Sequence, residues 1–206
     1  LAKNPRAEYS KQILEYQGEF GLTVVRHEGD PIPQPIRYAI YIIANAQRRI
    51  AFLESVRPFG LMIYGNEDWQ VLLKDHPLRD CYRGPADPQR EVPSIFVSST
   101  INLNIHSLQA LSSLNQRDFN CPLMGGFLLT DWVESAEEFF HPEREMVFYF
   151  NERDLQEKIS FYLTHEEERN DIVARGRERV LRDHTYAARV PRVLEILQNR
   201  IRERLK

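Results

Sequence analysis

The stretch from Ile101 to Asp131, INLNIHSLQALSSLNQRDFNCPLMGGFLLTD, decides how the rest of the chain is read. It opens on an alternating run, Ile101-Asn102-Leu103-Asn104-Ile105, which predicts a strand. A polar connection follows, Ser112-Ser113-Leu114-Asn115-Gln116. An amphipathic segment begins near Arg117 and ends at Gly125-Gly126. A second strand, Phe127-Leu128-Leu129-Thr130, closes on Asp131. The unit is strand–loop–helix–strand, and the loop lies where the helix starts. A helix start offers N–H groups without intrahelical partners and the positive end of the helix dipole. An anion, phosphate above all, is its natural guest. On pattern alone the same loop reads equally well as an ordinary solvated connection. Gly125-Gly126 reads as a helix C-cap rather than a ligand contact. The pair is not part of a G-x-G-x-x-G fingerprint.

The order of elements extends this unit in both directions. Leu61-Met62-Ile63-Tyr64, turning at Gly65, predicts a short buried parallel strand. Trp69 to Leu73 predicts one or two helical turns. Cys81-Tyr82-Arg83 predicts a short strand ending at Gly84-Pro85, and Pro93 to Ser99 a helix with proline in its first turn. Downstream, Ser135 to Phe140 predicts a short helix with Ser135 as N-cap. Met146 to Phe150 predicts a strand.

Helical patterns bracket this core. Residues 1–29 carry Tyr9, Ile13, Leu14 and Tyr16 near one helical face, interrupted by Gly18 and Gly21. Asp30 to Pro35 is a stiff, proline-rich break. Residues 36–57 repeat apolar side chains at three- and four-residue steps, Ala39, Ile42, Ile43, Ala46, Ile50 and Leu53, with Arg48 and Arg49 off the stripe. Pro58-Phe59-Gly60 stops that helix.

The tail carries three further stripes. The first is Leu155, Ile159, Tyr162 and Leu163. The second is Ile172, Ala174, Val180 and Leu181, with Gly176 inside it at a cost. The third helix, capped by Thr185, has Val190, Val193, Leu194, Ile196 and Leu197 on its apolar face. Alternating strands and helices predict an α/β class with a doubly wound, Rossmann-like parallel sheet flanked by helices. A helical lead over 1–57 would precede a domain over 58–206 that ends in a helical tail.

The bulk properties narrow the function. At 206 residues the chain suits one domain, or one with an appendage. A net charge of −3 gives no global pull towards nucleic acid. The two cysteines, Cys81 and Cys121, lack metal-ligand spacing and read as reduced thiols of a cytoplasmic protein, although two could pair. The longest uncharged apolar run, Tyr38 to Ala46, is too short to cross a bilayer, and no signal peptide is visible. The chain begins at Leu rather than Met, which points to a piece of something longer.

In an open α/β sheet the ligand sits beyond the C-terminal strand ends. Those ends carry Tyr64-Gly65, Arg83-Gly84-Pro85, Asn104-Ile105-His106 and Asp131. Gly65 and Gly84 would let a ligand approach the backbone. Ser113, Asn115 and Gln116 supply neutral donors, and Arg117 can hold a phosphate oxygen. With Leu114 between them, these positions suit a nucleoside diphosphate. His106 and His184 have no H-x-x-x-H or cysteine partner, so no metal site is expected. Asp118, Asp131 and Asp183 are candidate carboxylates that one sequence cannot bring face to face. The arginines of the last helix, Arg189, Arg192, Arg200, Arg202 and Arg204, read as a solvated face. The other reading is a docking surface for a missing domain or an anionic membrane.

The order of particular residues adds a resemblance. Asn102-Leu103-Asn104, then Leu114-Asn115-Gln116-Arg117-Asp118-Phe119, then Gly125-Gly126-Phe127-Leu128-Leu129-Thr130-Asp131 resembles the C-terminal half of the CgeB-like, spore-maturation-type glycosyltransferases. Upstream, Tyr64-Gly65, Trp69, Gly84 and Pro93 are similar to that family's succession, with Val92 in place of a leucine. Downstream, Phe140, Glu145, Glu166-Glu167-Glu168-Arg169 and His184-Thr185-Tyr186 with Arg189 resemble its tail. The resemblance covers about residues 48 to 197 and implies the donor-binding half of a GT-B architecture. The acceptor-side, N-terminal domain would be absent from this chain.

The resemblance also assigns tasks. Arg83-Gly84-Pro85 would fall at the base, and Ser113 to Arg117 at the diphosphate, with Arg117 the catalytic group. The nucleoside-diphosphate sugar would be a substrate, so no cofactor or metal is implied. The chain departs from the pattern where related GT-B enzymes place two glutamates eight positions apart. Ser112 and Asn120 stand there, and Asn120 would give up a charge-assisted bond to the ribose. That departure leaves room for a non-catalytic sugar-nucleotide-binding or scaffold module. A flavodoxin-like receiver fits less well, because the early strands do not end in an acidic cluster.

Overall fold

A computed structural model describes residues 34–108 and 112–204. The helical face expected over 1–29 lies outside the described residues. The first described helix, α1, spans Gln34–Val56. It therefore takes in Gln34 and Pro35, which the sequence assigned to the break. Proline fits a first turn because its missing N–H would have no intrahelical partner there. A short 3₁₀ turn, Arg57–Phe59, and Gly60 at φ 80° end it.

The chain is α/β, with parallel sheets and flanking helices. Its described residues fall into two compact units. One takes in the described residues of Leu1–Pro85, Ile105–Leu111 and Phe150–Glu157. In it β1 (Ile63–Tyr64) and β2 (Tyr82–Gly84) pair in parallel, with Tyr64 opposite Gly84. Between them lie α2 (Asp68–Leu72) and a 3₁₀ turn, Pro77–Cys81. The helix α1 holds the segment after residue 104 by side chains. Arg48 Nη1 donates to the His106 carbonyl at 2.8 Å, and Asn45 Oδ1 accepts the Leu108 amide at 2.8 Å. Tyr41 and Ser107 share a hydroxyl–hydroxyl bond. His106 is fully buried.

The second unit takes Ala86–Asn104, Ser112–Tyr149 and the described part of Lys158–Lys206. Its sheet has the order β3 (Asn102–Asn104), β4 (Leu128–Asp131), β5 (Val147–Tyr149), all parallel. Before β3 lies α3 (Val92–Ser98), with proline in its first turn. Helix α4 (Gln116–Met124) connects β3 to β4, and the short α5 (Ala136–Phe139) connects β4 to β5. This βαβαβ order is the Rossmann-like arrangement that the alternating pattern predicts. The core is apolar and continuous: Cys121, Leu128, Val133, Ala136, Phe140, Met146, Phe148 and Val180 cluster together.

Helix α4 stops at Gly125, which has φ 93° and caps the last turn. Gly126 is needed for a different reason. A Cβ there would lie 2.8 Å from the Phe96 carbonyl and 2.7 Å from Cys121 Sγ. Ser135 precedes α5 as expected, but its Oγ makes no hydrogen bond and is buried. Its backbone amide bonds the Ser112 carbonyl instead, at 3.2 Å.

Three helices follow: α6 (Glu152–Thr164), α7 (Glu166–Arg179) and α8 (Tyr186–Arg204). On α6 the buried residues are Leu155, Ile159 and Tyr162, while Leu163 is exposed. On α7 the buried line is Ile172, Gly176 and then Val180, so Ala174 and Leu181 lie off it. Gly176 is the point of closest approach. A Cβ there would stand 2.4 Å from the Glu145 carbonyl oxygen. The glycine thus lets a helix backbone rest on a loop backbone.

A π-helical turn, Val180–His184, carries the chain from α7 into α8. Thr185 Oγ1 then accepts the Ala188 amide at 3.2 Å, as an N-cap should. His184 is the fastener of this corner. Its ring packs 5.3 to 5.6 Å from the centroids of Phe119, Phe139 and Phe140. Nε2 lies 3.1 Å from the Phe139 carbonyl, and Arg189 Nη2 lies 3.2 Å from Nδ1. These partners select the neutral tautomer with the proton on Nε2, which donates to the carbonyl while Nδ1 accepts from the arginine.

Arg189 also sits 4.9 Å from the Phe119 ring centroid, so it is not simply a solvated charge. Asp183 holds Arg179 at 3.0 Å beside it. The expected apolar face of α8 is present but open: Val190, Val193, Leu194, Ile196 and Leu197 are each about half exposed, at 50 to 53%.

Two consequences are measurable. Gly176→Ala gains helix propensity yet forces the Glu145 carbonyl aside, so it should lower unfolding free energy by about 1–2 kcal/mol in urea titrations. A gain in stability would mean the contact is soft. Burial, with Arg189 and Arg179 nearby, lowers the pKa of His184 below its usual 6.5. The unfolded chain then takes up the proton first, so the contribution of His184 is present above pH 6.5 and is lost as pH falls below it. The stability gap between wild type and His184→Gln should therefore shrink from pH 7.5 to 5.5.

Candidate functional site

The residues that the sequence singled out fall into two groups, one in each unit. The first group gathers at the ends of β1 and β2. The Gly65 amide donates to the Gly84 carbonyl at 3.0 Å, and the Tyr82 hydroxyl donates to the carbonyls of Gly65 and Asn66. Gly84 has φ 96°, and a Cβ there would meet nothing within 4 Å. Gly65 is different, since a Cβ would collide with the Trp69 indole at 2.4 Å. The spacing of Tyr64-Gly65 and Trp69 thus reflects a tryptophan laid over a bare backbone. Tyr64 and Pro85 are exposed. Arg83 is exposed too, and its guanidinium donates to the Asp80 carbonyl at 2.7 Å.

The second group forms at the C-terminal edge of β3, β4 and β5, beneath the start of α4. The register places Asn104 opposite Thr130. Side chains of such neighbours on one face can touch, and here Asn104 Nδ2 lies 3.2 Å from Thr130 Oγ1. Both residues are fully buried, as is Asp118. Asp118 Oδ1 accepts from Asn104 Nδ2 and from Thr130 Oγ1, each at 2.9 Å. Asp118 Oδ2 accepts the Asn115 amide at 2.7 Å. Asn115 Oδ1 in turn accepts the Arg117 amide at 2.8 Å, completing a capping box. The Tyr149 hydroxyl donates to the Asn104 carbonyl at 2.8 Å. Neighbouring carboxylate and hydroxyl fix the Asn104 amide with Nδ2 towards them. Its Oδ1 therefore faces α4, where Arg117 Nη1 donates to it at 2.7 Å and Asn115 Nδ2 at 3.4 Å.

This arrangement alters the expected helix-start cradle. The cap takes the amides of Arg117 and Asp118, and the amide of Asn115 goes to a carboxylate. Of the first three helical N–H groups, the cap leaves only that of Gln116. Among the side chains, Asn104, Asn115 and Arg117 join one network. Ser113, Gln116 and Asn120 are exposed and lie outside it, while Leu114 packs against the apolar cluster of the second unit. Arg117 is itself exposed at the rim.

Sequence reading did not single out Thr130 and Tyr149 for the site. The available signal was a hydroxyl at or next to the end of each of two largely apolar strands. Cys121, one turn beyond Arg117, is fully buried, and burial pushes its thiol up to about 12. Both cysteines are free, so the pair does not bridge.

Asp118→Ala would strand a buried amide, a hydroxyl and the Asn104 amide at once. Each unsatisfied group costs about 1–3 kcal/mol, so a loss of about 3 kcal/mol or more is expected in denaturant unfolding. A loss below about 0.5 kcal/mol would show that the carboxylate is not the tie between helix and sheet.

The comparisons bear on what such an edge does. No helix among the described residues is long and apolar enough to cross a membrane. No curated protein matches the chain. A family described as glycosyl transferase-like matches over residues 48–195, which takes in both groups of site residues. The chain belongs to this glycosyl transferase-like family.

Proposed function

We propose that the chain is the donor-binding half of a CgeB-like, GT-B glycosyltransferase that transfers a sugar from a nucleoside diphosphate to an acceptor. The observation that supports this reading most is the position of Arg117. It stands at the rim of a C-terminal strand edge, on the first turn of α4, in a chain of glycosyl transferase-like sequence. Its Nη1 donates to the Asn104 amide oxygen at 2.7 Å, and a diphosphate oxygen would be a charge-assisted acceptor for the same group. Arg117 would stabilise the departing diphosphate, by electrostatics set in place before the reaction. The Gln116 amide and the dipole of α4 add to it.

In this reading residues 58–206 form the nucleotide-sugar-binding domain and residues 1–57 its lead. Ser113, Leu114 and Asn115 would line the diphosphate, and Asn120 would reach the ribose. The acceptor-side domain would supply the general base, so this chain alone binds nucleotide without turnover. The nucleotide sugar serves as substrate, no resident cofactor is required, and the setting is cytoplasmic. Nucleic acid is not a partner.

A second reading, a sugar-nucleotide-binding scaffold without transfer, is favoured by Ser112 and Asn120, two neutral side chains where relatives hold acids. It differs by one outcome: nucleotide binding with no sugar transfer by the full-length protein.

Calorimetric titration of the chain with UDP, GDP and their sugars should show binding, and Arg117→Ala should weaken it about tenfold or more. Silence up to millimolar ligand would overturn the donor site.

A further inference from the structure

We propose that α8 lies along an anionic lipid surface, with its open apolar face sunk into the headgroup layer and its arginines on the lipid phosphates. The proposal concerns α8 alone and does not rest on the donor-site reading. Three observations carry it. First, the face is open. Val190, Val193, Leu194, Leu197 and Ile201 recur at three- and four-residue steps, so they share one side of the helix. Each of them is half exposed or more, and every residue from Arg189 to Arg204 is exposed. The described contacts that hold α8 lie at its start: the Thr185 cap, and Arg189 against His184 and Phe119. A helix of 19 residues with Pro191 inside it draws little stability from its own hydrogen bonds. A second surface is needed to cover it.

Second, the charge of α8 opposes that of the chain. Five arginines against two glutamates give the helix a net +3. The whole chain carries −3, so the remaining residues together carry −6. An anionic surface therefore attracts α8 and repels the rest, which orients the helix towards it.

Third, the charges are placed to suit phosphates. Arg189 and Arg200 border the apolar face on one side, Ala187 and Gln198 border it on the other, and Glu195 stands on the opposite side of the helix. Arg200 can lay its stem along the apolar face and lift its guanidinium to a headgroup, where the planar fork matches a phosphate. A second copy of the chain fits worse. A seam between two such helices would be bordered by arginine and neutral side chains, with no glutamate beside it to answer the arginines. The same charges keep the helix at the surface, since each one placed in the hydrocarbon is costly. An amphipathic helix of this kind lies in the plane of the interface.

The test is co-sedimentation of the 206-residue chain with lipid vesicles. One set is phosphatidylcholine alone, and the other is phosphatidylcholine with about a third phosphatidylglycerol. Wild type should bind the anionic set about tenfold or more tightly than the neutral one, and salt at about 0.5 M should remove most of that difference. Leu194→Glu with Leu197→Glu should weaken anionic binding by about tenfold or more. Arg200→Gln with Arg202→Gln should weaken it by roughly fivefold or more, and stands in if the leucine variant does not fold by circular dichroism.

Equal binding to the two vesicle sets would overturn the proposal, as would wild-type anionic binding in either folded variant, because the contact would then lie elsewhere. No binding to either set overturns it too and leaves the face to a protein. So does a dimer, seen by sedimentation velocity, that the leucine variant dissolves: the face would then join two copies of the chain.

Discussion

A buried carboxylate with no room for error fixes the second unit. Asp118 is withdrawn from water, so each of its lone pairs must be met by protein. The partners that meet them come from β3, from β4 and from the residue before α4. A single side chain therefore sets where the helix begins, how it faces the sheet edge and which rotamer Asn104 adopts. The orientation of Arg117 follows, because Asn104 is one of its partners. The rest of the unit is consistent with that geometry. Gly125 and Gly126 end α4 and let β4 start close beneath it, and Gly176 lets α7 lie against the loop that leads into β5.

The same carboxylate serves two purposes that compete elsewhere. A helix start without side-chain caps is a better anion site, since more amides point outwards. A helix start with a capping box is more stable but offers fewer amides. This chain takes the stable option and leaves Arg117 as the charged group at the rim. In the proposed donor site, anion recognition would then depend on one side chain on a rigid support more than on a ring of backbone donors. Such a site loses breadth of contact and gains definition of position.

Much of this was legible in the sequence. Apolar alternation and glycine punctuation located every described strand, and the spacing of Arg117 from Gly125 placed α4 within a residue. Two kinds of feature were not legible. Partnerships across the sheet, such as Asn104 with Thr130 and Tyr149, depend on register, and register is a property of two strands rather than one. The role of a glycine was also ambiguous. Gly176 reads as a helix weakness and proves to be a backbone contact. Gly65 reads as a ligand's point of approach and proves to lie beneath the Trp69 indole. Ser135 shows the opposite failure, a residue of the right type in the right place whose hydroxyl does not cap. The apolar stripe of α8 was correct as a pattern, yet periodicity alone says nothing about whether a face is covered.

The thiol of Cys121 has a consequence for chemistry in the cell. It lies on the same short helix as Arg117, buried in the apolar cluster, and its proton is held far more tightly than that of a free cysteine. Peroxides and alkylating agents react with the thiolate form, so this sulfur is indifferent to them while the helix stays seated. Oxidative stress would leave the arginine-bearing turn unmarked, and any covalent labelling of Cys121 would report that the turn had lifted from the sheet.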